Sequence, residues 1–528
     1  MERTYYLNNA VELVFYSCSG PGNRFCSQLS GERVAGCAFL ALGSICESPD
    51  ITDGFFPNRC YLRTQLDRII DIPRVARWID SCTRDHSCLV NEAGGLPGLK
   101  SLRLIDVVDN CIVEKPGAVK YVTLSYVWGA VSNIRLTKAN RAFLMRRGPL
   151  EGVLLPRTIL DSVVLVRKLG LRYLWVDSLC LVQNDTEDLQ RGVMVMDHIY
   201  ERSWLTIVAA CGHDANSGLV GMHDGDREME FLVREITPGT FLGVCFDVDA
   251  HLKWSVYESR AWTFQEHVLS RRILYFVDGQ VFFRCRLAVH LETPITDYAL
   301  MLHYYMKRVL TNQSDALRAM AGIIRRGSQK LGYKMLEGLP TGSFDQFLLF
   351  EGRNIHRRQG FPSYSWAGWR GEAWFDVHDN LNDWLRTRTW IIWYQRRHGE
   401  EVRPVWDPAA NKSFPFHDME MELTDFFWPR GKLVGQWGVP CGNVIFDDYE
   451  EVDFSESIGL FEVLVLSEAN APLPISAKPS TSWDLYYVLL VERDADGVAE
   501  RRGIGTIDKE SIQSSYPPGP AWKEILLT

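Results

Sequence analysis

The stretch from Leu171 to Ala210 limits what this chain can fold into more than any other. It opens with a short apolar run, Leu171 to Val176, rich in the aromatic and β-branched residues that suit a buried strand. The run stops at Asp177, and a polar segment from Gln183 to Asp188 follows. Thr186 or Asp185 is placed to cap a helix, with acidic residues in the first turn to complement its dipole. Leu189, Val193, Met196 and Tyr200 then recur at helical spacing, and Trp204 to Ala210 reads as a second strand. Strand, helix and strand in that compass make a βαβ unit with parallel strands and a right-handed crossover.

The preceding residues extend the pattern. In Leu155 to Gly170, Thr158 and Asp161 resemble a capping-box start, and Ile159, Val163, Val166 and Leu169 share one helical face. Gly170 suits the position just past a helix end. Tyr121 to Tyr126 is a further strand, closed by Trp128-Gly129. The order β-α-β-α-β predicts an α/β fold: an open, mainly parallel, doubly wound sheet with helices on both faces. Ligands of such sheets lie past the carboxyl ends of the strands, which here puts Ser125, Asp177, Ser178 and Gln183 in view.

The rest of the composition narrows the function by exclusion. Against 66 acidic residues stand 57 basic ones, and no basic run or Lys/Arg-interleaved aromatic patch stands out, which argues against nucleic acid as partner. Thirteen cysteines in 528 residues do not make a disulfide scaffold. The first residues lack a basic segment followed by a continuous apolar one, and the apolar stretch around Val34 to Ile45 is too short to span a bilayer. The expectation is a cytoplasmic protein with reduced thiols and no membrane span. No Walker A pattern, H-E-x-x-H or G-x-S-x-G elbow occurs.

Residues 1–60 read as a loop-rich extension, and residues 61–90 as mainly helical, ending in Cys82, His86 and Cys88. Three potential ligands within seven residues raise the question of zinc. Paired C-x₂-C spacing is absent and zinc normally wants a fourth protein ligand, which Cys60 or Cys111 could supply, so the pattern argues against zinc and for a packed Cys/His cluster. Further on, Arg260, Gln265 and Glu266 concentrate polar groups at a helix start in an aromatic setting. Two apolar runs joined by Asp278-Gly279-Gln280 predict a hairpin, and a second hairpin turns near Asp496-Gly497. Helical patterns cover Ala299 to Leu310 and Asp315 to Leu331, and the last hundred or so residues are strand-rich.

Three blocks together resemble the fungal heterokaryon-incompatibility (HET) domain proteins. They are Tyr121 to Gly129 (YVTLSYVWG); Leu155 to Thr158 followed by Tyr173 to Cys180 (YLWVDSLC) with Gln183; and Arg260 to Glu266 (RAWTFQE). The Cys82, His86, Cys88 group is similar to a short Cys/His segment that often precedes the domain. The division that follows is an extension with the Cys/His segment over residues 1–115, the HET domain over 116–290, and a helical, then β-rich region over 291–528.

The resemblance implies a signalling protein of fungal non-self recognition and programmed cell death, acting through protein partners or self-association. It also implies a core distantly similar to the Toll/interleukin-receptor (TIR) fold, likewise a doubly wound parallel sheet. Some TIR-like domains cleave NAD with a glutamate, so an NAD-hydrolysing enzyme is a rival reading by analogy of fold. In it Glu266 and Asp177 would be the catalytic acids, with Ser125, Trp128, Gln183, Asp185, Arg260 and Gln265 around the ligand. Family members commonly carry a Trp and then a Glu in the helix after Asp177, where this chain has Leu189 and Gly192. That departure implies a third reading, a catalytically degenerate regulator.

Overall fold

The computed structural model describes residues 68–85, 88, 101–131, 134–227, 233–237, 240–246, 248–285, 294–375, 389–391, 393–395, 403–405, 430–434, 440–447, 462–469, 484–514 and 521–528, with the backbone of five strands within residues 4–62. The chain divides into two compact units, residues 1–288 and 289–528.

The first unit is organised around one seven-stranded sheet. Its strands are β1 (Leu102–Asp106), β2 (Cys111–Lys115), β3 (Val122–Tyr126), β4 (Tyr173–Trp175), β5 (Leu205–Ala209), β6 (Arg272–Val277) and β7 (Gln280–Cys285). They lie in the order β7-β6-β5-β3-β4-β1-β2. The middle four, β6-β5-β3-β4, are mutually parallel, while β7, β1 and β2 pair antiparallel at the two edges. The sheet is therefore mixed, with its parallel part at the centre. Numbered by their sequence, the parallel strands run 2-1-3-4, a doubly wound order that reverses between β3 and β5. Every residue of β3 and β5 is buried, so these strands read as unbroken apolar or hydroxyl-bearing runs rather than alternating ones.

Five helices are used below: α1 (Ile72–Asp85), α2 (Arg157–Lys168), α3 (Thr186–Met194), α4 (Met196–Arg202) and α5 (Ala261–Leu269). Asp185 caps α3, accepting from the Asp188 amide at 3.3 Å. The single helix expected across Leu189 to Tyr200 is two, broken at Val195, whose amide turns back to the Gly192 carbonyl at 3.2 Å in a tighter three-residue turn. Thr158 and Asp161 do not box the start of α2, which begins after Pro156 without a side-chain cap. Their side chains instead accept from Gly218 and Leu219 at 3.0 and 2.8 Å, fixing the loop that leaves β5. The Asp278-Gly279 turn joins β6 to β7 with both residues at positive φ, 46° and 73°, as a tight hairpin of matching twist requires.

The residues expected to form a loop-rich extension hold five strand backbones, Thr4–Leu7, Val11–Ser17, Phe25–Leu29, Ala38–Ile45 and Cys60–Leu62. They join Val233–Thr237 and Thr240–Phe246 in a second seven-stranded sheet. Helix α1 begins at Ile72, later than the apolar spacing from Leu62 predicts.

The second unit contains helices α6 (Pro294–Met306) and α7 (Ala321–Leu331) and a five-stranded antiparallel sheet of β8 (Arg430–Val434), β9 (Pro440–Phe446), β10 (Glu462–Ala469), β11 (Leu485–Arg493) and β12 (Ala499–Asp508), in the order β8-β9-β12-β11-β10. The β11–β12 hairpin turns at Gly497, φ 80°. Among the described residues, no helix is long and apolar enough to cross a membrane.

Candidate functional site

The site begins with β3, which delivers Ser125 in its last turn of pleat, and with α5, which delivers Glu266. The Ser125 hydroxyl donates to the Glu266 carboxylate. Because that spends its one proton, the 2.8 Å contact between Ser125 and Tyr257 is made by the tyrosine donating. Tyr200 on α4 donates to the Leu124 carbonyl at 3.1 Å and also stands within hydrogen-bond reach of Glu266. Glu266 is 7% exposed. Burial, and then the nearby Asp177 charge, push its carboxyl up to about 7.

Asp177 follows β4 directly and opens a short helical turn, Asp177–Cys180. Trp128, in the loop after β3, donates its indole N–H to both carboxylate oxygens at 3.2 and 3.0 Å, and the Ser178 amide donates at 2.7 Å. Burial raises this carboxyl to about 6, against the opposing pull of those donors and of Arg260 and Arg135. Arg260, the residue just before α5, donates to the Tyr126 carbonyl at 3.1 Å. Its charge acts on both acids. Gln183 donates to the Asp177 and Leu181 carbonyls, each at 3.0 Å, so it ties the loop rather than reaching a carboxylate. Both acids act on Tyr126, whose hydroxyl meets Ser178 at 3.0 Å.

Ser125, Trp128, Asp177, Gln183, Arg260 and Glu266 thus lie in one connected network at the carboxyl ends of the parallel strands. Gln265 is buried in α5 beside Glu266. Asp185 stands apart in role. Besides capping α3 it pairs with Lys138 at 3.2 Å, in a crevice of about 450 Å³ shared with Arg103, Arg141, Asp188 and Arg191. No local pattern marks Tyr200 and Tyr257 as partners of the acids. Only their position on helices that pack over β3 brings them in.

Two close approaches shape the site. Gly129, at φ 66°, faces the loop leaving β5 so tightly that an added Cβ would lie 2.3 Å from Asp214 Cβ. The loops on either side of the point where strand order reverses therefore close on each other, and the Ala215 amide donates to the Trp128 carbonyl at 3.2 Å. Gly192 is buried in α3, where a Cβ would lie 2.3 Å from Leu181 Cδ2. The glycine is there for contact between α3 and the turn before it.

The cysteines regroup. Cys82 near the end of α1 and Cys88 after it meet Cys285, the last residue of β7, with all three sulfurs within 4.8 Å of one another. Burial pushes the Cys285 thiol up to about 12, with Cys82 and Cys88 adding to the rise. Cys111 cannot complete this set, since it sits on β2 at the opposite edge of the sheet. His86 and the side chain of Cys60 lie outside the described residues.

Residues 121–266 match the family model described as Heterokaryon incompatibility protein (HET). The matched segment runs from the first residue before β3 to Glu266 itself, and so encloses the whole network. No curated protein and no solved structure matches the chain.

Proposed function

We propose that this HET-domain chain is a signalling protein of fungal non-self recognition, which couples an encounter with a protein partner or a second copy of itself to programmed cell death in the cytoplasm. The 2-1-3-4 order of its parallel strands supports a TIR-like reading of the core, that fold being doubly wound as well. Recognition rather than turnover is favoured by one observation: the carboxylate best placed for catalysis is closed in. Glu266 is buried, accepts a hydrogen bond from the Ser125 hydroxyl, has Tyr200 beside it and Tyr257 one hydrogen bond behind, and leaves little surface for a substrate carbon. The closed approach of Gly129 to Asp214 acts in the same direction. The family's acidic position is Gly192, packed on Leu181.

A second reading, an NAD-cleaving enzyme, draws on the same two acids. Carboxyls raised to about 6 and about 7 straddle the pH at which one can stay protonated while the other is charged. A carboxylate held near a ribosyl carbon would stabilise oxocarbenium-like charge in glycosidic cleavage. Induced expression in a fungal host separates the readings. Signalling by a folded core predicts growth arrest that survives Glu266→Gln, whose amide preserves the shape of the network. Arrest that disappears in Glu266→Gln, with the protein still folded and abundant, would favour turnover.

A further inference from the structure

Arg272 is the first residue of β6, and its side chain is 1% exposed. None of its three guanidinium nitrogens has a hydrogen-bond partner among the described residues. Its guanidinium lies over the Trp204 ring, 5.5 Å from the centroid. A second cation shares that ring: the Lys120 amine lies 3.7 Å over it, its pKa lowered by burial and then by the Arg272 charge. A buried guanidinium without a counter-charge costs several kcal/mol, so positive charge gathered here calls for an anion nearby. Asp80 acts on the Lys120 amine, and on the Arg272 side the Cys82 thiol lies within the guanidinium's field and belongs to the three-sulfur cluster with Cys88 and Cys285.

We propose that Cys82, Cys88 and Cys285 form a thiolate site for a soft divalent cation, zinc foremost, which staples the end of α1 to the edge strand β7. The spacing fits: thiolates about 2.3 Å from a tetrahedral zinc stand about 3.8 Å from one another, inside the 4.8 Å that encloses these sulfurs, and a water molecule would complete the tetrahedron. The charges fit as well. A dication with three thiolates carries a net charge of minus one, which the buried Arg272 neutralises. On binding, each thiol gives up its proton to solvent and its sulfur lone pair to the metal, with no change of oxidation state. A disulfide would join only two of the three sulfurs and leave Arg272 unmatched. The site also explains the position of α1, which packs on β7 at the edge that a neighbouring chain could otherwise extend.

The test uses the full-length protein purified from zinc-supplemented cells, with metal content per chain measured by mass spectrometry. The expectation is about one zinc per chain, falling at least tenfold in Cys285→Ser and unchanged in Cys211→Ser, whose thiol lies outside the cluster. Cobalt(II) exchanged into the unsubstituted protein supplies a readout that needs no variant to fold. Three thiolates give a strong sulfur-to-cobalt charge-transfer band with tetrahedral visible bands. Folded protein that holds no zinc and takes up no cobalt would overturn the proposal. Full zinc retention in Cys285→Ser would overturn it too, as would a disulfide between any two of the three in freshly isolated protein.

Discussion

Arg501 in the second unit and Arg272 in the first are both fully buried arginines, and their surroundings are opposite. Arg501 meets Asp447 through two hydrogen bonds of 2.7 and 2.8 Å, donates to the carbonyls of Leu348 and Phe350, and stacks 3.6 Å over the Phe350 ring. Its charge and its donors are accounted for by the chain. Arg272 has an indole face and no hydrogen-bond partner among the described residues. Glu266 lies between these cases, with hydroxyls for partners, another acid close by and Arg260 within its field. A buried charge met in full is architecture. One met in part is where a ligand, a metal or a proton has something left to do.

The comparison can be broken at several points. Asp447→Ala leaves Arg501 buried and uncompensated, so it should destabilise the second unit by about 3–5 kcal/mol in denaturant unfolding. A loss below about 1 kcal/mol would mean that the pair is not the closed structural element described. Arg272→Met should behave differently: zinc affinity should fall about 10–100-fold, as when an outer partner of a metal site is removed, while the metal-free protein keeps or gains stability. Equal destabilisation with and without metal would erase the contrast between the two arginines.

Glu266 sharpens it through pH. The folded chain holds this proton up to about 7, against 4.5 for an ordinary glutamate. The folded state thus binds the extra proton between those values, and its contribution to stability, complete at and below the lower value, is lost as pH climbs through the window. Asp177, raised from 3.8 to about 6, adds a loss in the same direction at lower pH. Glu266→Gln removes the upper part of this slope and should exceed the parent in stability by roughly 2–3 kcal/mol at about pH 8, with little difference near pH 4. Thermal melts across that range would contradict the account if the two proteins stayed parallel.

Gly192→Glu places an acid at a position with no room for its Cβ. Against a gain of nearly 1 kcal/mol in helix propensity, the displacement of Leu181 should leave a net loss of about 1–2 kcal/mol. The smallest effect is expected from Trp128→Phe. It removes the indole N–H from the Asp177 carboxylate, and a carboxyl-carbon NMR titration should show Asp177 rising above its present value of about 6 by less than about one unit.

Much of this arrangement is legible in the sequence because it is local. Periodicity places α2, α3, β3, β4 and β5, Asp185 marks the start of α3, the residue pair Asp278-Gly279 marks its hairpin, and residues just past the carboxyl ends of parallel strands are natural neighbours. What escapes is set by contacts between distant segments. Cys285 joins Cys82 only because the β6–β7 hairpin returns along the edge where α1 lies, and spacing near Cys82 carries no trace of it. Thr158 and Asp161 read as a cap until the loop after β5 offers them amides. Gly192 costs its helix propensity for a contact with Leu181 that no periodicity reveals. Tyr200 and Tyr257 look like core aromatics, and their hydroxyls matter only once Ser125 and Glu266 are beneath them.

The most direct measurement is nicotinamide release from NAD by the purified, folded protein at high concentration with a crowding agent to favour self-association. A signalling core with a closed Glu266 predicts no release above the buffer rate, in the parent and in Glu266→Gln and Asp177→Asn alike. Release by the parent that vanishes in both variants would contradict it, and would make the network at the carboxyl edge of the sheet an active site.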